Sequence, residues 1–505
     1  MPFPGLSTIS RIKPVRRCLV SLAVIGLGLA LPAILVISDS QAGFNAPQPG
    51  AMTVGATGFP ASLWASPQQR FGFAIARTPL QAFNTLDIER LHAGWHTFYG
   101  VLLHPPHLTD TEHIQMIRTT DDAYDPATIT ETLGPVVDAN PGSLWLVGNE
   151  PDRAEYQDDH LPVEYAEIYH TVYTFLKRRD PTCQVAVGGI VQPTPLRLTY
   201  LNQVLLHYQG LYGEPMPVDV WNIHNIILRE EQGGWGAGIP PGSSDLTGRL
   251  YEMDDHDNMT IFRQHILDFR AWMAAHGERN KPLIVSEYGI LMPEMYGFDV
   301  TRVTAFMHAT FDFFLTATDE ALGYPADGNR LVQRWAWYSL NEEPYNPETG
   351  VGYNGNLFDP DTTQITPFGE AYAAYTAPDL ALRAIHFSPP ALLPGQEGAP
   401  IRIEVQLVNQ GVATVEQAVV RVWDGDPNAG GVQLGVDQMI PLMSGGAEET
   451  YAVEIIWNAP TLQSHEVYTT IDPDDAVEEA AETNNTLHRT LLLATDQLFL
   501  PLITR

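Results

Sequence analysis

Cysteine is nearly absent from this chain. Cys18 and Cys183 are the two among 505 residues, which excludes a disulfide framework and leaves no Cys/His cluster with zinc spacing. Cys183 stands in a strand-like apolar run and reads as inert core. Cations are scarce as well: 27 Lys and Arg face 60 Asp and Glu, for a net charge of −33. That balance excludes nucleic acid as a partner, because phosphate-backbone binding needs a basic surface. Long apolar runs are missing except at 18–37, where one follows Arg11, Lys13, Arg16 and Arg17 and precedes Ser40-Gln41-Ala42. Residues 1–42 therefore read as an export segment, cleaved before Gly43 or kept as an N-terminal anchor. Either outcome predicts an extracellular, secreted or cell-surface protein. Membrane contact is expected only through an uncleaved anchor.

What the chain does contain is enough apolar sequence, 44 %, for a sizeable core, and enough length for two or three domains. Residues 43–69, rich in Pro, Gly, Ala and Ser, read as a linker. From 70 to 376 short apolar runs alternate with amphipathic ones. Strands are expected at 71–75, 94–99, 113–117, 143–147, 184–187, 218–223, 283–286 and 334–338, and helices at 163–179, 262–276 and 301–316. Several strands are apolar on both parities, as in parallel strands covered on both faces. The pattern predicts an α/β domain, a (β/α)8 TIM barrel. No Gly-rich phosphate fingerprint follows the first strand, which disfavours the doubly wound alternative. Beyond 379, alternating strands with frequent turn signals predict an all-β, Ig-like sandwich over 379–493, followed by a short tail at 494–505.

Two strand ends carry the chemistry. Leu144-Trp-Leu-Val-Gly-Asn149-Glu150-Pro151 runs from an apolar strand into a carboxylate. A residue before proline is driven to extended geometry, so Glu150 is expected to prolong the strand. Lys281-Pro-Leu-Ile-Val-Ser286-Glu287-Tyr288-Gly289 ends a second apolar strand in a carboxylate, with an aromatic hydroxyl beside it. By count these are strands four and seven, and the C-terminal strand ends of such a barrel form its active face. Glycosidic cleavage needs a proton donor together with a nucleophile or base, and two glutamates on one face supply both.

Asn149-Glu150-Pro151 with Ser286-Glu287-Tyr288-Gly289 resembles the clan A retaining glycoside hydrolases, and looks like the bacterial glycosyl hydrolase catalytic-core proteins related to β-1,3-glucanases. The resemblance spans 70–376. It implies Glu150 as acid/base, Glu287 as nucleophile and Asn149 as ligand of the sugar 2-hydroxyl. Trp221-Asn-Ile-His224-Asn225 looks like the clan's sixth strand, so His224 is expected in the site. Members often carry a tyrosine two residues later, where this chain has Ile226, which leaves the hydrogen-bond partner of Glu287 open. Trp335 and Trp337 look like the strand-eight aromatic that floors the central subsite, with Trp337 preferred.

Tyr288, Trp95 and Trp235, the last in Gly233-Gly-Trp-Gly-Ala-Gly, complete the candidate substrate contacts. The mechanism expected is a double displacement in which Glu150 begins protonated and Glu287 ionised. No metal and no organic cofactor is expected, and the partner is a polysaccharide or oligosaccharide.

Val408-Asn409-Gln410-Gly411 and the run Ile471-Asp472-Pro473-Asp474-Asp475 through Asn484-Asn485 resemble the CARDB sandwich. That implies an extracellular module for adhesion or spacing, in contact with the cell surface. It also sustains a rival reading of the whole chain as a non-catalytic adhesion or carbohydrate-binding protein.

Overall fold

The computed structural model describes residues 64–494, apart from 78, 107, 109–110, 121–122, 155–156, 351, 396–397, 448 and 459–460. The export segment, residues 43–63 of the expected linker and 495–505 of the tail lie outside the described residues. Among those described, no helix is long and apolar enough to cross a membrane.

Eight parallel strands form the first sheet: β1 (Phe71–Ile75), β2 (Trp95–Phe98), β3 (Glu112–Ile117), β4 (Leu144–Asn149), β5 (Gln184–Gly189), β6 (Trp221–His224), β7 (Leu283–Tyr288) and β8 (Arg334–Tyr338). Their order runs β5-β4-β3-β2-β1-β8-β7-β6, and parallel bridges Ala186–Val220 and Ile190–Ile223 join β5 to β6. The barrel is thereby closed. Helices α1 (Pro79–Thr85), α2 (Ile129–Thr132), α3 (Gly134–Ala139), α4 (Pro162–Arg179), α5 (Pro195–Tyr212), α6 (Met259–Ala275), α7 (Val300–Thr316) and α8 (Pro367–Thr376) surround it. The strand–helix repeat is not strict, because the β2–β3 connection carries no helix among the described residues.

Alternation along each strand divides the side chains into two layers. Ile114, Met116, Leu144, Leu146, Ala186, Val220, Ile284 and Ala336 fill the interior. Their neighbours Trp145, Val147, Trp221, Ile223, Leu283, Val285, Trp335 and Trp337 face the helices. Trp64 and Trp95 join the interior cluster, and the Arg334 guanidinium lies 4.7 Å from the Trp64 ring and 5.3 Å from that of Trp95. The last residues of the expected linker therefore belong to the barrel floor. Cys183 is buried, and burial pushes its thiol up to about 11, as befits core.

Among the described residues the remaining strands pair antiparallel, apart from one short parallel pairing of Ala391 and Leu392 with Leu492 and Leu493. A three-stranded sheet, β9 (Leu380–Ser388), β11 (Ile401–Asn409) and β15 (Tyr451–Trp457), is ordered β15-β11-β9. It packs on a second sheet of β10 (Ala391–Leu392), β12 (Val415–Asp424), β13 (Val432–Gln433), β14 (Gln438–Met443), β16 (His465–Ile471) and β17 (Thr486–Leu493). Ile403, Val405, Val420, Val422 and Val467 from both sheets share one core, which makes the region a sandwich. The sandwich meets the barrel where Thr414 N donates to Gln68 Oε1 at 3.0 Å. Gln68 immediately precedes β1, so the attachment lies at the barrel end opposite the carboxyl ends of the strands.

The acidic turn of the sandwich is already occupied by protein donors. Asp472 accepts from the Ala476 and Val477 amides, and Arg421 pairs with Asp474 and Asp437.

Candidate active site

Glu150 leaves β4 by a route different from the extended one expected. Its φ is +45°, in the left-handed region. Proline at 151 disfavours right-handed helical geometry in its predecessor, and Glu150 avoids that region on the other side. Pro151 then takes the second position of a turn that closes with Arg153 N donating to Glu150 O at 3.0 Å. The turn folds Arg153 back over the glutamate, and Arg153 Nη1 lies 3.1 Å from Glu150 Oε2. A buried triad holds the turn from behind: Arg197 Nη1 meets Asp152 Oδ2 at 2.5 Å while its Nε meets Glu230 Oε1 at 2.9 Å.

Glu287 arrives by a bulge. Simple alternation from Leu283 and Val285 would turn it toward the helices. The register against β8 shifts between Val285 and Tyr288, so Tyr288 takes the outward place and Glu287 turns inward. Strand β6 keeps its alternation and points His224 into the barrel. His224 Nδ1 is 3.0 Å from Glu150 Oε1 and 3.8 Å from Glu287 Oε2. One oxygen of each glutamate and one histidine nitrogen lie within 4.8 Å of one another. Gly189 makes room for the ring, since a Cβ there would stand 2.4 Å from His224 Cδ2.

Tyr99, one residue past β2, donates its hydroxyl to Glu287 Oε2 at 2.5 Å. The partner left open by Ile226 thus comes from the second strand. Nothing in the sequence flagged it beyond its parity with Trp95 and Thr97. Asn149 lies beside the pair, with its amide N donating to Asp158 Oδ2 at 2.8 Å and its Nδ2 to Gln157 Oε1 at 3.1 Å. Its buried Oδ1 has no partner among the described residues, which leaves an acceptor for an incoming hydroxyl.

The two carboxyls are shifted in opposite directions, the expected acid downward and the expected nucleophile upward. Burial pushes the Glu150 carboxyl up, but the Arg153 guanidinium and His224 outweigh it and hold it at about 2. Glu287 is raised, chiefly by burial and further by the Glu150 charge, against the lowering influence of His224 and the Tyr99 hydrogen bond. Burial also acts against charge on His224, yet Glu287 and Glu150 prevail and lift it above its ordinary value. The imidazole and the two carboxylates have the donor types of a cation site. The guanidinium on Glu150 already supplies a positive charge there, and the cluster is arranged to share protons.

Three expected contacts are elsewhere. Tyr288 is fully buried against Phe262, Phe314 and Trp337 in the outer layer. Trp337, equally buried, donates Nε1 to Gly355 O at 2.7 Å. Both have outward parity, so neither offers a face to a sugar. Trp95 is buried at the floor, with Nε1 donating to Arg70 O at 3.1 Å, at the wrong end of the barrel. Trp235 lies half-buried in the loop after β6; the next residue, Gly236, offers its carbonyl to Arg153 at 3.4 Å. The aromatic that strand eight does contribute is Tyr338, edge-on to Tyr99 at 6.2 Å with its hydroxyl 2.5 Å from Glu342 Oε2.

Against this geometry stand the likenesses to other proteins. Residues 377–489 match the CARDB family model. The same region is similar in structure to a CARDB domain from Pyrococcus furiosus in complex with di-metal ions, at 21 % identity, covering 24 % of this chain and 91 % of that one, with a TM-score of 0.20. A glycoside hydrolase family 39 enzyme from Xanthomonas axonopodis pv. citri is similar over 78 % of this chain and 93 % of its own, at 12 % identity and a TM-score of 0.42. A monomeric β-xylosidase from Caulobacter crescentus follows at 12 % identity, 78 % and 95 % coverage and a TM-score of 0.41. No curated protein matches the chain.

Proposed function

We propose that the protein is a secreted, retaining glycoside hydrolase that cleaves O-glycosidic bonds, with Glu287 as nucleophile and Glu150 as acid/base. The observation that carries this reading is the approach of the two carboxylates, whose nearest ligand oxygens are within 4.8 Å with His224 between them. Retaining enzymes hold their carboxyl groups about 5–5.5 Å apart, whereas inverting ones leave about 6.5–9.5 Å for a water.

In this reading the substrate is a β-linked polysaccharide or oligosaccharide. Glu287 attacks the anomeric carbon, Glu150 protonates the departing oxygen, and water then releases the glycosyl-enzyme with Glu150 as base. The proton for the first step is held on the 3.0 Å contact between His224 and Glu150. It passes to Glu150 as the departing oxygen takes up the carboxyl proton. Tyr99 favours the ionised form of Glu287 against the burial that opposes it. Asn149 Oδ1 is left for the 2-hydroxyl.

A panel of aryl β-glycosides and neutral or acidic polysaccharides tests the reading, with the anomer of the first-formed product followed by NMR. Retention is expected, and Glu287→Gln should lose about 10⁴-fold or more in kcat with its circular dichroism unchanged. Near-normal turnover by that variant defeats the assignment. One observation favours a second reading, a barrel that binds sugar without cutting it: Glu150 is held ionised by Arg153. Binding without release of reducing ends across the panel would select that reading.

A further inference from the structure

Beyond the catalytic pair, the loops after β7 and β8 enclose a groove of about 400 Å³, the size of small-molecule sites. Pro293, Met295, Pro344, Tyr345, Tyr353 and Phe368 give it an apolar and aromatic lining. Met295 and Tyr353 are exposed at 62 % and 42 %, although burial would stabilise side chains of this kind. The groove is already built. Asn354 Nδ2 donates to Met292 O at 3.0 Å and Phe298 O at 2.9 Å, tying the two loops together, and Tyr353 N donates to Glu343 O at 2.8 Å.

An aromatic series connects this groove to the nucleophile. Tyr99 holds Glu287, Tyr338 meets Tyr99 at 6.2 Å, and Tyr353 meets Tyr338 at 6.1 Å. Among the described residues the lining brings the carboxylates Glu294 and Asp359 and no cation, which disfavours an anionic sugar. The turn after β4, which carries the proton donor, contributes none of the lining. The leaving group departs on the Glu150 side, so the groove lies toward the portion of substrate that stays on Glu287.

We propose that this groove is a second sugar subsite, which takes a neutral pyranose on the non-reducing side of the unit that Glu287 attacks. The proposal rests on Glu287 being the nucleophile. Pyranose rings present apolar C–H faces that pack on aromatic side chains, and Tyr345 and Tyr353 offer such faces while Met295 adapts to the sugar's shape.

The test measures kcat/KM on 4-nitrophenyl β-glycosides of one, two and three units in the gluco, xylo, manno and galacto series. At least one series should gain tenfold or more on lengthening. Tyr345→Ala and, independently, the surface change Met295→Glu should each cut that gain below threefold. No gain in any series overturns the subsite, as does a gain that survives both substitutions. If no glycoside is cleaved, the enzymatic reading fails by itself. The groove is then judged by calorimetric affinity for the unlabelled trisaccharides, which Tyr345→Ala and Met295→Glu should each weaken at least fivefold; unchanged affinity, or no binding, overturns it.

Discussion

Glu150 and Glu287 end two strands of one barrel and face one histidine, yet they are delivered and held in opposite ways. Glu150 turns off β4 in a left-handed conformation, and its turn returns a guanidinium to the carboxylate. Glu287 stays within β7, is brought inward by a bulge, and meets a neutral phenol. The first carboxylate is depressed by cations despite burial, and the second is raised by burial despite a hydrogen bond. Similar burial thus produces opposite proton affinities, and the partners decide the sign.

The sharpest way to break this comparison is through the leaving group. Glu150→Gln is expected to lower kcat/KM about 10²–10⁴-fold on alkyl or sugar leaving groups, and far less on 2,4-dinitrophenyl glycosides, which depart without a proton. Glu287→Gln should be inactive on both. A parallel response of the two variants would mean that the division of labour is wrong. A smaller effect is expected at Tyr99. Tyr99→Phe removes a hydrogen bond that favours ionised Glu287, so its pKa rises further and the acidic limb of kcat/KM moves to higher pH, with kcat down about tenfold. Activity lost with the limb unmoved would leave Tyr99 a packing role alone.

The eight strands were legible as short apolar runs, and the two glutamates stood out because each follows or ends one of those runs. Parity also points to further site residues. Trp95, Thr97 and Tyr99 share one face of β2, and Ala336 and Tyr338 share one face of β8, so counting by two points to Tyr99 and Tyr338 and away from Trp337. The size of tryptophan was the misleading signal. The same counting would have turned Glu287 toward the helices, because a bulge is invisible to alternation. Arg153 was missed for a related reason: its approach depends on the left-handed φ at Glu150, and the proline rule favours extended geometry there. Helix α5 escaped because its faces are mixed, with Arg197 buried and Leu206 and Leu211 exposed.

The smallest expected effect concerns stability, and its sign differs between the two carboxylates. Glu150 has a depressed folded pKa of about 2. Its contribution is therefore present above the unfolded value, about 4.3, and is lost as pH falls through the folded one. Glu287 has a raised folded pKa, so its favourable contribution is present below the unfolded value and lost as pH rises through the folded one. At pH 7, Glu150→Gln should lower stability by about 3 kcal/mol, since it strips Arg153 and His224 of a buried anion. Glu287→Gln should raise it, by about 1 kcal/mol, since it removes a buried carboxylate that the fold must otherwise hold near another. Chemical denaturation of both variants at pH 4 and pH 7 measures each sign, and the Glu287→Gln gain should shrink at pH 4. Two losses of equal size at pH 7 would show that the pair is held symmetrically, and that the contrast between the guanidinium and the phenol carries no energetic weight.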